Sequence, residues 1–125
     1  MIAGKYFGQV ADAATRMSKN GNPQMIIEFE VTHISEGGQW IVLDSPVNRR
    51  IYISMSDAAW TYSVEKLLQL GWNADMKEPK FENATEGVEL ELKFETWEVA
   101  DGGDGKEREK WDLMREKNNG NDTYN

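Results

Sequence analysis

The sequence predicts an all-β protein carrying a single helix, in the order β-β-β-α-β-β. Three features predict it. Apolar and polar residues alternate with period two in both halves of the chain, one stretch near residue 64 switches to helical spacing, and Gly, Asn and Pro clusters fall between these segments. At 125 residues the chain is sized for one domain and can bury a core without disulfides.

The first strand is expected over Lys5–Thr15. It closes at Ser18-Lys19-Asn20-Gly21-Asn22-Pro23, where Gly and Asn tolerate positive φ and Pro cannot continue a ladder. The second, Gln24–Ile34, is the clearest. Met25, Ile27, Phe29 and Val31 form an apolar face, and Ile26, Glu28, Glu30 and Thr32 a mixed polar one. After the Glu36-Gly37-Gly38 turn, Trp40–Leu43 and Arg50–Ser54 read as one long kinked strand, or as two short ones around Asp44-Ser45-Pro46.

A helix follows over Ser56–Leu70, with Ser54 or Ser56 as its cap and Gly71 as its stop. Trp60, Val64, Leu67 and Leu68 form its apolar stripe, which makes Trp60 a core residue, as Trp72 is also expected to be. Residues 72–87 read as irregular, packed through Trp72, Met76 and Phe81. The fourth strand, Val88–Val99, points Val88, Leu90, Leu92 and Phe94 inward and Glu89, Glu91, Lys93 and Glu95 outward. A turn at Asp101–Gly105 leads to a fifth strand over Glu109–Lys117. Three meandering strands, one helix and a closing hairpin match a five-stranded OB-fold barrel over residues 1–117. Residues 118–125 hold no core side chain and are expected to be disordered.

Composition narrows the function. There is no cysteine, which excludes disulfides and thiolate metal sites. No apolar run approaches membrane-spanning length and the N-terminus lacks a signal pattern, so a cytoplasmic protein is expected. The net charge of −8 opposes simple electrostatic binding of nucleic acid. The excess is uneven. Residues 1–55 carry five basic and five acidic side chains, residues 56–125 nine and seventeen. A neutral half can hold a locally positive groove, because surface charges beyond about 8 Å are largely screened at physiological salt.

Catalysis is hard to seat. His33 is the only histidine, at the end of a strand and with no nucleophile motif to serve. The carboxylates Glu28/Glu30 and Glu89/Glu91/Glu95 sit at strand spacing on solvent faces. The Asp101–Glu107 loop lacks the ligand spacing of a calcium site. No enzyme activity, metal or cofactor is expected. Binding has more material. Single-stranded nucleic acid is held by aromatic platforms interleaved with cations. Arg16, Lys19 and Asn20 lie on the first turn, Trp40, Arg49, Arg50 and Tyr52 on the third strand, and Trp97, Lys106, Arg108, Lys110 and Trp111 on the last hairpin. In a barrel these segments converge on the face of strands two and three. Each aromatic has a core reading beside the stacking one, and each cation a solvated reading; their coincidence on one face is what points to binding.

Three stretches carry a resemblance. They are Gly4-Lys5-Tyr6-x-Gly8, Ser18 to Met25, and Tyr52-Ile53-Ser54-x-Ser56-Asp57-x-Ala59-Trp60 running through Lys66-Leu67 to Leu70-Gly71-Trp72. Over roughly residues 4–117 the chain resembles phage and prophage OB-fold single-stranded DNA-binding proteins, commonly encoded beside replication and recombination genes. The resemblance implies single-stranded DNA as ligand, with replication or recombination proteins as further candidate partners; apart from the resemblance, a homodimer is also a candidate. Proteins of that kind often end in an acidic tail; Asn118–Asn125 holds one aspartate and no terminal phenylalanine, a departure from the pattern. The alternative is an acidic interaction module, in which Glu89, Glu91, Glu95 and Glu98 mimic a phosphate backbone.

Overall fold

The computed structural model describes residues 1–81, 87–96 and 98–114. The turn at residues 83–87 in its first four positions, Trp97, the last part of the expected fifth strand and the 118–125 tail lie outside the described residues. Five strands and one helix form: β1 (Gly4–Met17), β2 (Pro23–Glu36), β3 (Gln39–Ser54), α1 (Trp60–Gln69), β4 (Val88–Thr96) and β5 (Glu107–Leu113). All strand pairs are antiparallel, in one sheet of order β3-β2-β1-β4-β5.

The period-two pattern of β2 works as its sequence requires. Met25, Ile27, Phe29 and Val31 are buried, and across the ladders they meet Ile51 and Ile53 of β3 and Val10 and Ala13 of β1. Tyr6, Leu90, Leu92 and Trp111 complete this inner face, with Met55, Leu67 and Trp72 packed in the same core. Gly8 stands opposite Val31 at a register shift, and a Cβ there would meet the Glu30 carbonyl oxygen at 2.5 Å. Backbone cannot yield as a side chain can, so only glycine lets β1 and β2 close at this point.

β3 is the long kinked strand rather than two short ones. Val31 pairs with Val47 and His33 with Val42, so residues 43–46 bulge opposite Thr32. Pro46 sits in that bulge, where no ladder bond is asked of it.

The helix is shorter than its stripe predicts. Ala59 is its N-cap and makes no side-chain cap bond. The serines tie the strand to the helix instead: Ser63 Oγ donates to the Ser54 carbonyl at 2.6 Å, and the Ala59 amide donates to the Ser56 carbonyl at 3.0 Å. At the other end Gly71, at φ 90°, closes a Schellman motif, with its amide on Leu68 and the Trp72 amide on Leu67. Leu67 and Ser63 face the core, while Trp60 is 44% exposed and Leu68 is also exposed. Trp60 is therefore not the core residue its spacing predicts. Ser63 and Leu67 are the helix residues turned inward, with Val64 packed beside them. Trp72 is buried as expected, bridging to Phe81, and Met76 packs beside them.

β4 ends at Thr96, and a single 3-10 turn (Val99–Asp101) follows, so Phe94 near the strand end is exposed rather than inward in the core. The expectation of five antiparallel strands and one helix holds. The sheet itself is open: among the described residues no ladder joins β3 to β5. The two edges do approach at one point, where Arg49 Nε lies 2.9 Å from Glu109 Oε1. No helix among the described residues is long and apolar enough to cross a membrane.

Candidate nucleic-acid interface

The outer face of β1, β2 and β3 carries exposed aromatic and cationic side chains together. Outward positions follow from the register. Arg16, Gln24 and Ser54 share one row, Ala14, Ile26 and Tyr52 the next, then Asp12, Glu28 and Arg50, and past the bulge Phe7, His33 and Val42, with Ser35 and Trp40 beyond. Along β3 alone the outward side chains run Tyr52, Arg50, Asn48, Val42, Trp40. Tyr52 is 56% exposed and Trp40 is 41% exposed. Both rings thus keep a face open to solvent, which stacking on a base demands.

Each ring has a base beneath it. Trp40 leans on Phe7 at 5.5 Å between ring centres, and Phe7 meets His33 edge-on at 6.0 Å. Tyr52 stands over Ile26, which is buried although it lies on the polar face of β2. The His33 ring is held by Thr32, whose Oγ1 lies 2.7 Å from Nδ1. Arg50 is aimed along the strand: its Nε donates to Glu28 Oε1 at 3.2 Å, and Asn48 Nδ2 donates to the second oxygen at 3.2 Å. Hydrogen bonds with Tyr52 and with Glu28 raise the Arg50 pKa above its ordinary value. The pair lies on the surface, where solvent and salt screen it.

The other expected site residues divide. Arg16 is exposed on the same outer face, and Lys19 and Asn20 are exposed on the β1–β2 turn at that end of the sheet, braced by the Ser18 amide on the Asn22 carbonyl at 2.7 Å. Arg108 is paired with Asp104, and Lys110 with Glu95 at 4.0 Å. Both flank Glu109, so the Arg49–Glu109 contact sets them across the seam from Asn48 and Arg50. Lys106 is exposed on the hairpin and its amide donates to Asp104 Oδ1 at 3.0 Å. Trp97 lies outside the described residues.

Arg49 and Trp111 are corrected. Arg49 pairs with Phe29, an inner-face residue, and its guanidinium is spent on Glu109 and on the Asn48 carbonyl at 2.8 Å. Trp111 is 7% exposed, packed edge-on to Tyr6 at 5.1 Å. It has no free face for a base. Sequence parity could have shown this for Trp111, since Trp111 and Leu113 alternate with charged residues, whereas for Arg49 only the ladder partner decides. Phe7 and His33 are the residues beside Trp40 on this face that the sequence reading missed. The signal for Phe7 is an aromatic on the polar phase of a strand whose other phase holds Tyr6.

Glu109 organises the seam. Its Oε1 accepts from Trp111 Nε1 at 2.9 Å as well as from Arg49. Burial pushes its carboxyl up, yet the indole and guanidinium together hold it below the usual range. A depressed folded pKa means that the unfolded chain takes up the proton first. The contribution of Glu109 is therefore complete above the unfolded value of about 4.3 and is lost as pH falls through the lower folded value. Urea titrations of the natural chain and Glu109→Gln should differ at pH 7 and converge in acid. A gap that stays constant across that range would show that Glu109 carries no linked proton.

A comparison of the chain with known protein families, curated proteins and solved structures finds no match. What the face can do follows from its chemistry. Among the described residues no three His, Cys, Asp or Glu side chains group as a metal site would. The proposed acidic rib on β4 is interrupted: Lys93 lies 3.6 Å from Glu91, and Lys110 reaches Glu95. The outer face of β3 instead sets Tyr52 and Trp40 at its two ends, with Arg50, Asn48 and Val42 between them.

Proposed function

We propose that this chain is a single-stranded DNA-binding protein of the phage type, built on an OB-type barrel and acting without a catalytic step. The observation that carries the reading is the outer row of β3, where Trp40 and Tyr52 stand exposed with Arg50 and Asn48 between them. Bases stack on rings and a guanidinium takes the phosphate, a sequence-tolerant mode because every base has a π-face. The strand order β3-β2-β1-β4-β5, with its two edges drawn together at Arg49 and Glu109, is consistent with a partly open five-stranded barrel whose strands two and three receive the ligand. Replication and recombination complexes are where such a protein would act.

Titration with oligo-dT tests it. Tryptophan fluorescence should be quenched on binding, because Trp40 is the exposed indole of the face. Trp40→Ala combined with Arg50→Ala should weaken binding at least about tenfold, since one stacked base alone is worth about 1–3 kcal/mol. Unchanged affinity in that double variant removes the face from the proposal. The acidic interaction reading is favoured less, because Lys93 and Lys110 break up the row of carboxylates on which it rests.

A further inference from the structure

We propose that the chain forms a reversible dimer by antiparallel pairing of the β3 edge over Gln39–Leu43, with Ile41 facing Ile41 of a second copy. β3 is the terminal strand of the sheet, so one side of its backbone is left without a ladder. The Arg49–Glu109 contact lies on the other side of the bulge. Among the described residues Gln39–Leu43 makes no hydrogen bond outside its ladder with β2.

Natural edge strands guard such a rim with charges, prolines, bulges or shortness. β3 has these guards only further along. Asp44, Pro46, the 43–46 bulge and Arg49-Arg50 protect its second part, whereas Gln39-Trp40-Ile41-Val42-Leu43 carries no charge and no proline in a chain that is 29% charged. Its apolar side chains are also bare: Trp40, Ile41 and Val42 are all exposed, Val42 to 68%. An unpaired, uncharged, apolar edge of this kind is a template for another strand.

A second copy fits it in register and in charge. With Ile41 on the two-fold axis, Trp40 meets Val42 and Gln39 meets Leu43. The nearest carboxylates, Glu36 and Asp44, then oppose Pro46 and Gly38, so no like charges stand opposite each other even though each chain carries −8. Aromatic against β-branched is a favourable cross-strand pair, and a two-fold isologous contact is the commonest form of self-assembly. Five residues from each chain bury little area, which places the dimer among weak, reversible contacts. The pairing uses the rim of the sheet and leaves Arg50 and Tyr52 on its outer face, while Trp40, a ring of the proposed DNA face, stands beside Val42 of the second copy. The tests below use no nucleic acid, so their outcome is separate from that of the ligand proposal.

Sedimentation equilibrium of the full chain without nucleic acid should show a mass rising with concentration from 14.3 kDa towards twice that value. Ile41→Glu sets two carboxylates directly opposite each other and should weaken the dimer roughly tenfold or more while the circular dichroism stays native. The natural chain has no cysteine, so Ile41→Cys reports the axis directly: residues opposite each other in an antiparallel pair are about 4.5–5.5 Å apart, within disulfide reach. Mild oxidation should cross-link Ile41→Cys far faster than Ser45→Cys. A mass of 14.3 kDa at every concentration, a dimer undisturbed in folded Ile41→Glu, or equal cross-linking of the two cysteine variants overturns the proposal. Should Ile41→Glu fail to fold, the cysteine comparison decides alone.

Discussion

Replacing Trp111 by alanine should cost about 3–5 kcal/mol of folding stability, the usual range for truncating a buried tryptophan. The ring is nearly sealed, stacks edge-on against Tyr6 and lies opposite Leu92 in the β4–β5 ladder. Its removal opens a cavity at the last strand and also takes the indole N–H from Glu109, which then keeps only Arg49. Whole-domain stabilities run to about 5–15 kcal/mol, so the loss is a large fraction of the total. Urea unfolding followed by circular dichroism measures the loss, and Trp111→Phe should restore much of it by refilling the space without restoring the hydrogen bond. A Trp111→Ala protein of native stability that no longer binds oligo-dT would instead put this ring at the DNA. The experiment thus separates the two meanings an aromatic on the last hairpin can have.

That ambiguity marks the boundary of what was legible in the residues. Strand phase is written in the chain: Met25, Ile27, Phe29 and Val31 are inward because every second residue is apolar, and the pattern allows no other face. The same logic places Leu90 and Leu92. Ladder partners are not written there. Arg49 and Arg50 are chemically alike, and only pairing with Phe29 rather than Glu28 sends one inward and the other to solvent. The helix misled for a related reason. Its apolar stripe is wide enough for two orientations, and the Ser63 hydroxyl bond to Ser54 fixes the one that leaves Trp60 outside. Polar anchors of this sort cost little to make locally and decide which apolar residues remain exposed. Ile26 shows the converse, a residue on the polar phase that is buried because Ala14 and Tyr52 flank it. Trp40 and Tyr52 each had a core reading beside an exposed one in the sequence, and the ladder register is what puts both on the outer face.

Removing both platform rings should have the largest effect on binding. At about 1–3 kcal/mol per stacked base, Trp40→Ala with Tyr52→Ala should cost about 2–6 kcal/mol, or at least thirtyfold in affinity for oligo-dT. The effects should add, because the rings share no contact. Trp40 rests on Phe7 at one end of β3 and Tyr52 on Ile26 at the other, with the bulge between them. Twelve residues of extended strand span up to about 40 Å, shortened here by the kink. A strand at the short end of the roughly 4–16 nucleotide range reaches one ring, and a longer one reaches both. The double variant should therefore lose most on long oligonucleotides, while each single variant should matter on short ones according to which ring the strand occupies. Salt gives an independent axis. Stacking releases no counterions, so the ring variants should shift affinity equally at low and high salt, whereas Arg50→Ala should flatten the slope of log K against log salt by about 0.7. If the double ring variant keeps both its affinity and its salt slope, phosphate contacts alone hold the strand and the rings are bystanders.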